Sequence, residues 1–168
     1  EPREAQDWLE RAVNAAPDSA RYHAALGNAY GAEAQDAGML RQARLAGRIR
    51  DAFEAAVRLD STLVQPRIGL IQFHLAAPGI MGGDRQEALR QARTLHRIDP
   101  WAGWAWLANV HNALEQTDEA ERVVRDAAAA FPDSAAPVVI LALQHHRHQR
   151  WDDAFAHLRP HATREPPD

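Results

Sequence analysis

Nine histidines with no cysteine and no lysine set the range of chemistry open to this chain. Thiolate metal sites, disulfides and Cys nucleophiles are all excluded. The densest cluster is QHHRHQRWDDAFAHLRPH, residues 144–161. There His145 and His148 are three apart, His157 and His161 are four apart, and Asp152 and Asp153 could add oxygen ligands. The four-residue spacing suits zinc or nickel when it lies on one helical face. Pro160 interrupts that face, so the cluster reads as the polar end of a fold, and no metal site is assigned. A second candidate is LAAPGIMGGDRQEA, residues 75–88. Glycines ahead of a helix N-terminus can cradle an anion. The Lys-Ser/Thr pair of a phosphate loop is missing, however, no strand precedes the loop, and Asp84 would put a carboxylate where the phosphate belongs. What the loop leaves open is Ile80 and Met81, which either plug the fold or form a lip over a ligand. Arg41, Arg44 and Arg48 make a short basic edge that reads as a solvated face. No nucleophile elbow, zinc-protease helix or dinucleotide fingerprint occurs, so the expectation is a protein that is not an enzyme and has no cofactor.

Elements that could position these residues follow from helical periodicity; no segment alternates with period two. Helices are expected over 3–15, 19–35, 39–59, 64–76, 84–98, 101–115, 118–130, 135–148 and 151–158. Pro66 and Pro137 fall in first turns, where a missing N–H is harmless, and Pro160 is expected to end the last helix early or kink it. Asp84 with Glu87 is a capping box. Four amphipathic runs stop at Pro17, Ser61, Pro100 and Pro132, at intervals of 44, 39 and 32 residues. Hydrophobic residues are 46% and charged residues 25%, ordinary for a globular chain. The net charge of -4 gives no pull toward nucleic acid or an anionic membrane. No apolar run reaches the ~18 residues of a span. The compartment stays open between periplasmic or secreted and cytoplasmic. The absence of an initial Met suggests a processed or trimmed form.

Within this frame the chain resembles tetratricopeptide repeats. YHAALGNAY supplies Leu26, Gly27 and Tyr30 in the family's first-helix pattern. EAQDWLERAVNAAP gives Ala5, Leu9, Ala12 and Pro17 of its second helix, DEAERVVRDAAAAFP gives Ala120, Val124, Ala127 and Pro132, and RWDDAFAHL near the end matches a second-helix start. The Ala77-Pro78-Gly79 to Gly82-Gly83 loop is similar to turns in bacterial members of unassigned role. The resemblance implies an all-α fold of antiparallel helix pairs, a tetratricopeptide-like α-solenoid. It would be one domain over 1–168: a half-repeat at 1–17, then repeats at 18–61, 62–100, 101–132 and 133–162. Against a repeat of about 34 residues, two repeats carry insertions. The first lengthens both helices of its pair by about 7.5 Å, with a stripe of Leu40, Ala43, Ala46, Ile49 and Phe53 and a turn at Asp36-Ala37-Gly38 in which Gly38 closes the first helix. The second is the glycine loop.

The family lines its concave groove with first-helix side chains. Carried over, this gives Asn28, Gln65, Gln72, Trp106, Asn109, Asn112, Leu143, His146 and Arg147 as partner-binding residues, with Ile80 and Met81 as the loop lip. Trp106 is the expected anchor, while Trp104 and Trp101 are expected to pack inside. His74, His111 and His145 fall where the family often has Tyr, so each is expected to fill an interhelical gap with one ring nitrogen hydrogen-bonded. Some members clamp a carboxylate tail with Lys, Asn and Arg; Asn28 fits, but Ala24 stands at the lysine position, which disfavours that role. The functional expectation is a protein-interaction scaffold that takes a peptide segment or partner helix. The alternative is a small-molecule or metal-ion carrier with the glycine loop as lid. A further expectation is a homo-oligomer through the N-terminal helix, where Trp8 and Leu9 lack half their packing.

Overall fold

The computed structural model describes residues 2–147 and 149–162, and all side chains in those spans except those of Pro2, Arg3, Gln144, Arg147, His157, Pro160, His161 and Ala162. Among the described residues there are nine α-helices and no strand: α1 (Pro2–Ala15), α2 (Ala20–Gln35), α3 (Met39–Leu59), α4 (Val64–Ala76), α5 (Arg85–Ile98), α6 (Pro100–Ala113), α7 (Thr117–Ala130), α8 (Ala135–Arg147) and α9 (Trp151–Ala162). They form antiparallel pairs behind α1, an all-α helix-pair solenoid fold. None is long and apolar enough to cross a membrane. The backbone divides into two compact units, residues 1–103 and 104–168.

In the first unit, α1 packs on α2, α2 on α3, α3 on α4 and α4 on α5. Its outer core is Leu26, Tyr30 and Leu45, with Leu9, Val13 and Ile49 against it. Leu9 is therefore packed, whereas Trp8 is exposed with the Arg11 guanidinium over its ring at 5.0 Å. The Phe53 ring fills the space that glycine leaves on two helices. A Cβ on Gly27 would stand 2.6 Å from that ring, and one on Gly69 2.5 Å. In the second unit the core is Trp104, Ala108, Val124, Ala127 and Leu141, with Val123, Phe131 and Ile140 beside it.

One motif, a leucine followed four residues later by a ring, recurs in all four first helices. Leu26, Leu70, Leu107 and Leu141 are buried, as are Tyr30, His74, His111 and His145. Pro66 and Pro137 are fully buried in first turns, as their fixed φ allows.

Several local expectations are corrected. The last helix runs through Pro160 to Ala162, because a proline so near the end removes only one helical bond. Gly38 does not close α2: that helix is capped by Asp36, and Gly38 is the extended N-cap of α3 with φ -69°. The extension is also unequal, with α2 at 16 residues and α3 at 21. Leu40 and Ala43 are exposed, and the buried stripe begins at Leu45, because the start of α3 meets α2 through polar side chains, Arg41 with Glu33 and Gln42 with the Ala34 carbonyl. Trp101 is 49% exposed, being in the first turn of α6 ahead of the buried stripe. Only half of the capping box forms. Asp84 accepts from the N–H groups of Gln86 and Glu87, but the Glu87 side chain turns to Arg90 and Gln91.

Candidate functional site

The first cleft lies wholly in the first unit and is made by both insertions. Its volume is about 490 Å³. The α2 wall is Gly27, Asn28, Gly31, Ala32, Ala34 and Gln35; α3 adds Gln42, Ala46, Ile49 and Phe53. The opposite wall is Gly69, Gln72, Phe73 and Ala76 of α4, continued by Ala77, Pro78 and Met81 of the loop. These α2 residues recur every three to four positions, so they share one face.

The loop holds its wall by backbone geometry. Gly82 is left-handed at φ 93°, where a side chain would be strained, and its N–H bonds the Gly79 carbonyl at 3.0 Å. Gly83 donates to the Pro78 carbonyl at 3.1 Å, and any Cβ there would strike the Ala77 carbonyl. Between them Gly79–Met81 make one 3-10 turn. Three residues per turn point successive side chains in different directions, so Met81 lines the cleft while Ile80, 95% exposed, faces away.

The second cleft lies wholly in the second unit. It measures about 310 Å³ and is lined by Trp104, Ala105, Ala108, Asn109, Asn112, Ile140 and Leu143. The α6 residues again form one stripe at helical spacing.

Of the residues expected from sequence, Asn28 and Gln72 meet in the first cleft, and Asn109, Asn112 and Leu143 meet in the second. Gln65 is exposed a full turn before the part of α4 that lines the first cleft. Trp106 is half-buried and sits one position off the lining stripe of α6, so it is not among the lining residues. His146 is exposed, its ring edge-on to Trp151 at 4.4 Å. The side chain of Arg147 lies outside the described residues. Sequence reading missed Gly31, Gln35 and Gln42. The available signal was Gly31 itself, a helix-interior glycine four residues after Gly27.

The titratable groups are tied to neighbouring helices. Tyr30 donates to Glu10 Oε1 at 2.7 Å, and its phenol is pushed up to about 12 by burial first and by Glu10 second. Arg48 reaches the same Glu10 at 3.5 Å and Arg41 pairs with Glu33, so two arginines of the basic edge are neutralised by α1 and α2. Glu121 accepts from Arg150 at 2.6 Å and from Arg125 at 2.5 Å, with His145 Nε2 3.8 Å away. Burial works to raise the Glu121 carboxyl, but Arg150, His145 and Arg125 outweigh it and hold it below the usual range. His111 Nδ1 meets Gln116 Oε1 at 2.8 Å. His74 Nδ1 is buried with no hydrogen-bond partner among the described residues. Among the described residues no three His, Asp or Glu side chains converge as a metal site. His148 lies outside those residues, as do the side chains of His157 and His161.

Residues 101–143 match the sequence model of the tetratricopeptide repeat family. No curated protein matches the chain. Among solved structures, the crystal structure of MamA superposes with a TM-score of 0.65 at 15% identity, covering 90% of this chain and 81% of that one. TTC0263, a thermophilic TPR protein of Thermus thermophilus, superposes with a TM-score of 0.62 at 17% identity, covering 99% and 84%. One tetratricopeptide repeat is thus recognisable in the sequence at residues 101–143, and the fold around it is that of these solved repeat structures.

Proposed function

We propose that this protein is an interaction scaffold that grips a peptide segment of a partner on its first-helix faces, with no catalytic step. The fold supports protein–protein interaction in general. The observation that carries the finer reading is the placement of carboxamides. Asn28 and Gln72 border one cleft and Asn109 and Asn112 the other, and their side chains have no hydrogen-bond partner among the described residues. A carboxamide offers both donor and acceptor to a peptide main chain and demands no charge in return. The test is affinity capture with quantitative mass spectrometry, comparing wild type with Asn28→Ala/Gln72→Ala and Asn109→Ala/Asn112→Ala. Loss of the same partners from either double variant is the expected result. An unchanged set of partners on both variants would sink the reading.

A further inference from the structure

We infer that the cleft of the first unit takes a short uncharged segment, about five residues in extended form, with one apolar side chain seated over Gly31. This rests on the peptide-binding reading above and names what that site accepts.

Charge decides the class of occupant. None of the residues lining the cleft is charged. Of the charges beside it, Glu33 pairs with Arg41 and Arg50 with Asp51 inside the chain. A charged group entering would lose its hydration and find no counter-charge. Hydrocarbon alone fits poorly too. Asn28, Gln35 and Gln72 have no side-chain hydrogen bond among the described residues, whereas Gln42 is engaged with the Ala34 carbonyl at 3.1 Å. A purely apolar occupant would strip water from three carboxamides and give nothing back. A peptide main chain brings an N–H and a C=O with each residue.

Dimensions set the length. The α3 wall runs from Gln42 to Phe53, about 16 Å at 1.5 Å per residue. That spans about five extended residues at ~3.3 Å each.

The glycines locate the seat. Gly27 and Gly69 are accounted for by the Phe53 ring. Gly31 is not: a Cβ there meets nothing within 4 Å. Glycine inside a helix is disfavoured, and no internal contact requires it at this position. Its bare Cα leaves the floor of the cleft open to a side chain from outside.

The experiment uses the full chain against an array of randomised, acetylated and amidated hexapeptides. The best binder is then titrated by calorimetry into wild type, Gly31→Leu and Asn28→Ala/Gln72→Ala, with circular dichroism and melting curves on each. The expected result is selection of hexapeptides without charge at their central positions. Gly31→Leu should weaken binding at least tenfold, and the amide double variant about threefold to tenfold, both with native helicity. The double variant carries the test if Gly31→Leu does not fold. Selection of charged hexapeptides, or binding that ignores both variants, would overturn this assignment and leave the peptide reading standing. If no hexapeptide binds, both readings fall. They also fall if only the uncharged fluorophore N-phenyl-1-naphthylamine binds and Gly31→Leu excludes it.

Discussion

The two units fill the same kind of interhelical gap from opposite sides. In residues 1–103 the aromatic ring comes from a second helix: Phe53 of α3 presses on Gly27 of α2 and Gly69 of α4. In residues 104–168 it comes from a first helix, where Trp104 of α6 is buried with Ala108, Val124, Ala127 and Leu141. The consequence reaches the surface. Where the second helix supplies the ring, the first helices are bare and their shared face is hollow, giving about 490 Å³. Where the first helix supplies it, the ring occupies the first-helix face and the hollow is about 310 Å³; both rings also line their clefts, Phe53 from the α3 wall and Trp104 from α6. The larger hollow therefore goes with the unit whose first helices are bare and which also carries both insertions.

The comparison is open to attack by substitution, and the largest effects lie in the rings. Phe53→Ala and Trp104→Ala should each cost about 3–5 kcal/mol in urea unfolding, as expected for emptying a packed aromatic site. Gly27→Ala and Gly69→Ala should each cost about 1–3 kcal/mol by overpacking. In the Phe53→Ala background that penalty should vanish, because the ring that the methyl strikes is gone. If the penalties simply add, the account of the first unit is wrong.

Electrostatic ties come next. Glu121→Gln should remove about 1.5–3 kcal/mol at pH 7, the range for hydrogen bonds to a charged group. The folded carboxyl is held low, so its contribution is present above the usual Glu range and lost as pH falls through the folded value. The gap between wild type and variant should therefore close in acid, and a gap that persists there would reassign it to packing. Tyr30 gives the opposite sign. Its folded phenol sits at about 12, above its ordinary 10.0, so its contribution is full below the ordinary value and lost as pH rises toward the folded one. Tyr30→Phe should narrow its difference from wild type between those limits in alkaline melting curves. The smallest effect separates the glycines. Gly31→Ala should stabilise by about 0.5–1 kcal/mol, since a Cβ finds open space and the helix gains.

Much of the fold was legible because its signals are local. The proline stops, the helical stripes and the Asp84 cap each act within a turn or two of chain, and eight of these helices begin and end within a residue or two of where periodicity put them. The errors were also local in kind. Leu40, Ala43 and Trp101 obey the apolar pattern but stand near helix starts, ahead of the buried stripes. Gly38 is expected to close α2, yet with φ -69° it is the extended N-cap of α3. For the site, sequence found Asn28 and Gln72 by register and could not find Gln35 or Gln42, which lie on a helical extension that no repeat register covers.

What the sequence determined by itself is the order of the helices, the buried Leu and Tyr or His ladder, and the glycine loop, because capping, periodicity and φ preference are properties of neighbouring residues. What only the tertiary structure decided is that the two insertions meet. Met81 comes within one cleft of Gly31, fifty residues away in the chain, because α3 packs between α2 and α4 and the loop folds against it. Such a meeting depends on which helices pack together, and no local signal carries it.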